Sequence, residues 1–246
     1  MGKSDKKPSL SPLLGQVVAP GDTVLELPKE GDQVVRIGGG LQQIGDVVVA
    51  TRAGAVRNTA QGQYFIEGSQ KRYIPQVDDA VIAVVTRRIG EMFEVDIGGP
   101  FRASLSGVAF EGATRRNRPN LKVGALVYGR VISADRDMEP EIECMDAHGK
   151  SSGFGPVAGG DMFNCTTGLA RVLLGNPPCP VLVALGSALS YEIAVGINGR
   201  VWVKAEDAPT TILVSNSILN SEFISAKQSE LMVKTLLTRM GKLPAA

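Results

Sequence analysis

The sequence predicts a mostly β protein with a C-terminal α/β module: an N-terminal β domain, a five-stranded OB barrel and a mixed third module. Three observations carry this. The 246 residues hold 29 glycines and 14 prolines, which punctuate the chain too often for long helices to dominate. Between these breaks lie short runs that alternate apolar and polar residues or are rich in β-branched ones, as half-buried strands are. Stretches of helical length are confined to the last third.

The first fifteen residues open on a polar stretch, Met1 to Pro8, with Lys3, Lys6 and Lys7. They read as a disordered, solvated tail, with a weak nuclear address as the alternative. Residues 16–73 form the first module. Val17-Val18-Ala19 runs into a turn at Pro20-Gly21-Asp22. Gln33 to Ile37 alternates and breaks at Gly38-Gly39-Gly40, and Asp46 to Thr51 is rich in valine. The triple glycine lacks the lysine and Ser/Thr of a phosphate loop and reads as a turn.

The second module, 74–150, supplies five short strands. Ala80 to Thr86 is a buried run followed by a turn at Arg87-Arg88-Ile89-Gly90. Met92 to Ile97 alternates, with Phe93, Val95 and Ile97 on one face and Glu94 and Asp96 on the other. Ala103 to Leu105, Leu126 to Ile132 and Pro140 to Met145 follow, with one long basic connection between the third and fourth. That order suits an OB barrel.

The third module, 151–246, opens with a Gly/Ser-rich linker to Gly160. Thr166 to Leu174 reads as a helix stopped by Gly175, Pro177 and Pro178. Tyr191–Val195 and Arg200–Lys204 read as strands around Gly196-Ile197-Asn198-Gly199. Two helices close the chain, over about 208–219 and 221–240.

Composition narrows the function classes. Aromatic content is 5% and the formal net charge is +1. A protein that binds nucleic acid tightly on its own usually carries a larger positive excess, so RNA contact here must come from local patches or a shared surface. Cys144, Cys165 and Cys179 lack the spacing of a metal site or a disulfide framework. The one histidine, His148, lies in a loop-like stretch, and a hydrolytic triad would have to use it. No catalytic residue, metal site or cofactor is expected. No run approaches a membrane span and no secretory signal is visible, so the chain reads as soluble and intracellular, without a membrane partner.

The strongest chemical feature is the basic connection, with Arg115, Arg116 and Arg118 within four positions beside Asn117 and Asn120. Guanidinium forks match phosphate oxygens, and asparagine amides read base edges or backbone oxygens. OB folds bind single strands with their loops and one barrel face. The competing reading is a solvated loop or a protein contact. The same alternatives apply to Arg87 and Arg88 on that barrel.

The string Phe110-Glu111-Gly112-Ala113-Thr114-Arg115-Arg116-Asn117-Arg118-Pro119-Asn120, followed by Val123-Gly124 and Val127-Tyr128-Gly129, resembles the central segment of the S-one/KH cap proteins of the RNA exosome. Asp137-Met138-Glu139-Pro140-Glu141 and Asn198-Gly199-Arg200-Val201-Trp202-Val203-Lys204-Ala205 are similar to two further signatures of that family. Pro20-Gly21-Asp22 and Gly39-Gly40-Leu41 resemble weaker ones. The match spans nearly the whole chain and lies nearest the exosome component three family.

The resemblance implies an S-one type barrel and a KH-type third module, and no catalysis. It implies a place beside RNase PH-like ring subunits and other cap subunits, contact with single-stranded RNA, and residence in nucleus, nucleolus and cytoplasm. A free-standing single-stranded RNA-binding protein is the alternative. Departures stand out. Glu94 occupies the position of a usual S-one aromatic, small residues near Ser104-Leu105-Ser106 stand where a histidine is usual, and Ala125 replaces a usual aspartate. Without stacking residues the chain is expected to bind RNA weakly alone. An RNA-clamping KH domain places GxxG between helices. Here Gly196, Asn198 and Gly199 fall between strands and read as a structural turn, with an RNA clamp as the alternative, and Trp202 reads as a core or interface anchor.

Overall fold

The computed structural model describes residues 13–27, 34–59, 62–68, 72–114, 116–135 and 137–241. The expected tail therefore lies almost wholly outside the described residues. The chain divides after Ser69 into two compact units.

The first unit is all β. Its strands are β1 (Val17–Val18), β2 (Thr23–Glu26), β3 (Arg36–Ile37), β4 (Leu41–Ile44), β5 (Val47–Ala50), β6 (Gly54–Asn58) and β7 (Gln63–Glu67). They form two sheets, ordered β1-β6-β7-β3 and β2-β5-β4. Val18, Val24, Ala50, Val56 and Ile66 pack between them. Gly38-Gly39-Gly40 is a turn between strands. Gly40 has φ +87°, and a Cβ there would lie 2.5 Å from Arg52 Nε.

The second unit holds the barrel and the mixed module together. The barrel strands are β8 (Ala80–Ile89), β9 (Met92–Asp96), β10 (Ala103–Phe110), β11 (Leu126–Ser133) and β12 (Glu141–Cys144). The order β12-β10-β9-β8-β11 closes through β12–β11 pairing. Inward residues of every strand fill the barrel, among them Val81, Ala83, Val85, Phe93, Val95, Leu105, Val131 and Ile142. Closure leaves no bare edge in these five strands, which is how a small sheet avoids edge-to-edge association.

The continuous apolar run in β8 reflects burial on both faces. Val81, Ala83 and Val85 enter the barrel core. Ile82 points the other way, onto Ala194 and Trp202.

The mixed module comprises β14 (Asp161–Asn164), α1 (Thr167–Leu173), α2 (Pro180–Gly186), β15 (Tyr191–Gly196), β16 (Arg200–Ala205), α3 (Ala208–Asn220) and α4 (Ala226–Arg239). Its antiparallel sheet runs β14-β16-β15. One face packs on the helices through Val195, Val201, Val203, Val214, Ile218, Val233 and Leu237. Thr166 caps α1 by accepting from Leu169 N at 3.1 Å.

Several local expectations shift. The strand expected to end at Thr86 continues to Ile89, because a register irregularity between Val85 and Arg87 lets pairing with β9 resume. Arg87 and Arg88 therefore sit on a strand, not in a turn. The third barrel strand extends to Phe110. The Gly/Ser-rich linker carries β13 (Gly155–Val157), which pairs with β11. Helix α4 starts at Ala226, not Ser221, because Ser225 and Gln228 form a reciprocal capping box.

Candidate nucleic-acid interface

Positive charge concentrates on the wall and one end of the barrel. On the wall, Arg87 pairs across the ladder with Glu94. The Glu94 carboxylate accepts from Arg102 Nη1 at 2.5 Å and Arg87 Nη2 at 2.9 Å. Those bonds, Arg102 first, hold its carboxyl below the usual carboxylate range. The side chains of Arg87 and Arg102 are 66% and 60% exposed, so two guanidiniums share one acid and keep donors facing solvent. An aromatic at position 94 would offer a stacking surface; Glu94 instead fixes the direction of two cations.

At the barrel end, Arg88 lies opposite Phe93 in the ladder. Its guanidinium carbon sits 5.7 Å from the centroid of the Phe93 ring, within cation–π range. Its Nη1 donates to Asn120 Oδ1 at 3.3 Å, and its Nε to Gly90 O at 3.4 Å. Arg118 Nη2 donates to Glu91 Oε1 at 2.7 Å. The Arg118 stem crosses Gly107, where an added Cβ would lie 3.2 Å from Arg118 Cδ. The connection turns at Thr114 and Asn117, which exchange main-chain hydrogen bonds of 2.9 and 3.1 Å. Arg116 and Asn117 are exposed there. Arg115 lies outside the described residues.

The basic residues thus fall into two groups. Arg88, Arg118 and Asn120 meet at the barrel end with Glu91. Arg87 joins Glu94 and Arg102 on the wall. Arg102 escaped sequence reasoning because only the fold brings it to Glu94; the unmatched acid on an alternating strand was the available signal.

The Gly196-Ile197-Asn198-Gly199 turn faces the barrel. Asn198 Nδ2 donates to Ile97 O at 2.8 Å and Ile82 O at 2.9 Å, and its Oδ1 accepts from Ile82 N at 3.3 Å. Ile197 N donates to Ala80 O at 2.8 Å. Arg200 donates to Asp96 O and Asp96 Oδ2, each at 2.6 Å. Burial acts to raise the Asp96 carboxyl, but Arg200 and the Gly98 N–H hold it below its usual range.

The glycines have local reasons. Gly199 has φ +77° and its missing Cβ leaves room for Cys165 O at 2.5 Å; a Cβ on Gly196 would lie 2.7 Å from Ile82 N. Trp202 is 5% exposed and its Nε1 donates to Gly159 O at 2.7 Å. The polar groups of the turn named here bond to protein.

The chain matches two family models: exosome complex component RRP40, S1 domain, over residues 73–155, and KH domain over residues 160–209. It is 48% identical over 219 residues to a protein of Dictyostelium discoideum provisionally assigned as exosome complex component rrp40, covering 89% of this chain and 91% of that one. It is 38% identical to exosome complex component RRP40 of Homo sapiens, covering 88% of each. A crystal structure provisionally described as an exosome complex RNA-binding protein shares the fold with TM-score 0.56 at 18% identity, over 69% of this chain and 99% of that one.

Proposed function

The chain belongs to the exosome complex component RRP40 family, and from that membership we propose that it is a non-catalytic RNA-binding cap subunit of the RNA exosome. It stabilises the RNase PH-like ring beside the other cap subunits and guides single-stranded RNA to the central channel for processing and decay. It does so wherever exosomes work, in nucleus, nucleolus and cytoplasm.

The observation that carries this reading is the cluster of Arg87, Arg88, Arg102, Arg116 and Arg118 around β8, β9 and the basic connection, in a chain of net charge only +1. Positive charge gathered on one region of a near-neutral protein suits transient, sequence-independent contact with phosphates. The residues for RNA are Arg87, Arg88, Arg115, Arg116, Asn117, Arg118 and Asn120. The turn of Gly196, Asn198 and Gly199, with Trp202, serves to dock the KH-type module on the barrel.

The non-catalytic role is supported by the chemistry of the nucleophile candidates. Burial pushes the Cys144 thiol up to about 12 and the Cys165 thiol up to about 11, so neither is a thiolate near neutral pH. Asp146 beside His148 is committed to Ser152 Oγ and the Lys150 and His148 N–H groups.

The test is affinity purification of the tagged chain from its own cells, with partners identified by mass. RNase PH-like subunits in equal amounts are expected. Recovery of the chain alone, or with ribosomes, would overturn the cap assignment.

A further inference from the structure

We propose that Arg88 and Asn120 form a subsite for one unpaired RNA base, with the Arg88 guanidinium plane as the stacking platform. This rests on the reading that the basic end of the barrel meets RNA, and it assigns the contact that recognises a base there.

Phe93 cannot itself stack a base, since it is 3% exposed within the barrel core. It presents its ring to Arg88, whose guanidinium carbon lies 5.7 Å from the ring centroid. Arg88 is exposed, so Phe93 backs a guanidinium that is open to solvent. Arginine planes accept bases as aromatic faces do, with the charge adding a cation–π term. The bonds from Arg88 to Gly90 O and Asn120 Oδ1 hold the plane before any ligand arrives. Glu94 occupies the position on the barrel wall where a stacking aromatic is expected; the Arg88–Phe93 pair lies on the opposite face of β9 and offers its plane at the barrel end instead.

Asn120 supplies selectivity. Its Oδ1 is engaged by Arg88, which fixes the amide so that Nδ2 presents its two hydrogens. Nδ2 makes no hydrogen bond among the described residues. A donor fixed beside a stacking plane favours a base carbonyl. Uracil carries two carbonyls and adenine none, so uridine is preferred over adenosine.

The test is fluorescence anisotropy of the full chain at low salt. The probes are a labelled single-stranded oligouridine and an abasic oligomer of the same length. Arg88→Lys keeps the charge and removes the plane. It is expected to weaken oligouridine binding about fivefold or more, as loss of one stacked base does, and to leave the abasic oligomer unchanged. Asn120→Ala is expected to reduce the preference for oligouridine over oligoadenosine, with stacking weakened less than in Arg88→Lys because the bond to Gly90 O still holds the plane.

Equal effects of Arg88→Lys on both oligomers, or no effect, would overturn the subsite while leaving phosphate contact intact. Binding of neither oligomer by the wild-type chain would overturn the subsite together with the RNA reading beneath it.

Discussion

Asn198 brackets the main chain of Ile82: its Nδ2 donates to the Ile82 carbonyl at 2.9 Å and its Oδ1 accepts from the Ile82 N–H at 3.3 Å. The two residues are 116 positions apart. β8 already pairs with β9 and β11, so this amide extends its hydrogen bonding into a second sheet.

Asn198→Ala removes three buried hydrogen bonds and leaves the Ile82 and Ile97 main-chain groups without that partner. Each orphaned buried group costs about 1–3 kcal/mol, so a loss of about 3 kcal/mol or more is expected. Denaturant unfolding of the full chain measures it, and a midpoint within error of wild type would refute the docking role.

Trp202→Ala is expected to destabilise the second unit by roughly 3–5 kcal/mol, as truncations of buried aromatics do. Trp202→Phe keeps most of the contact with Ile82 and Ala194 and loses the bond to Gly159 O. It is expected to cost about 1 kcal/mol from that bond. Thermal melts of both variants separate packing from hydrogen bonding; equal losses would place the whole effect in the indole N–H.

Arg115, Arg116 and Arg118 replaced together by Ala are expected to weaken RNA passage in the assembled complex and leave folding intact. For single strands, each lost phosphate contact lowers the salt slope of binding by about 0.7. Unchanged RNA protection and degradation, with an unchanged slope, would reject their role.

The Asp146 loop responds to acid. Hydrogen bonds from Ser152 Oγ, Lys150 N and His148 N lower the Asp146 carboxyl from 3.8 to about 2. A carboxyl depressed by folding contributes stability above its unfolded pKa and loses it as pH falls through its folded one. The stability these contacts contribute is therefore complete above about pH 4 and falls away as pH drops toward about 2, where the folded carboxyl is half protonated. Amide NMR signals of His148 and Lys150 are expected to shift with a midpoint near pH 2 in wild type and to be already displaced at neutral pH in Asp146→Asn.

Much of the fold was legible because glycine pairs and alternating valines mark strands directly. The run Val81 to Val85 announced burial on both faces, though not that Ile82 would meet Trp202. Helix α2 was hidden by its own prolines. Pro177 and Pro178 end α1's neighbourhood, but Pro180 opens α2 at a position where its missing N–H costs nothing. Arg87 and Arg88 were misplaced because a ladder irregularity at Thr86 leaves no trace in hydropathy. The basic connection was plain from composition, whereas its division into a wall group and an end group was not. That division depends on which acid each arginine reaches, Glu94 for Arg87 and Glu91 for Arg118, and these pairings exist only once β8, β9 and the connection are side by side.

Strand β13, which pairs with β11 through Leu126–Val157, Val127–Pro156 and Tyr128–Gly155, turns the passage between barrel and mixed module into a stretch of fixed length. Residues inserted within Gly155–Val157 would throw β13 out of step with β11. Only residues 158–160 separate β13 from β14, and the Asn198 amide also ties the mixed module to the barrel.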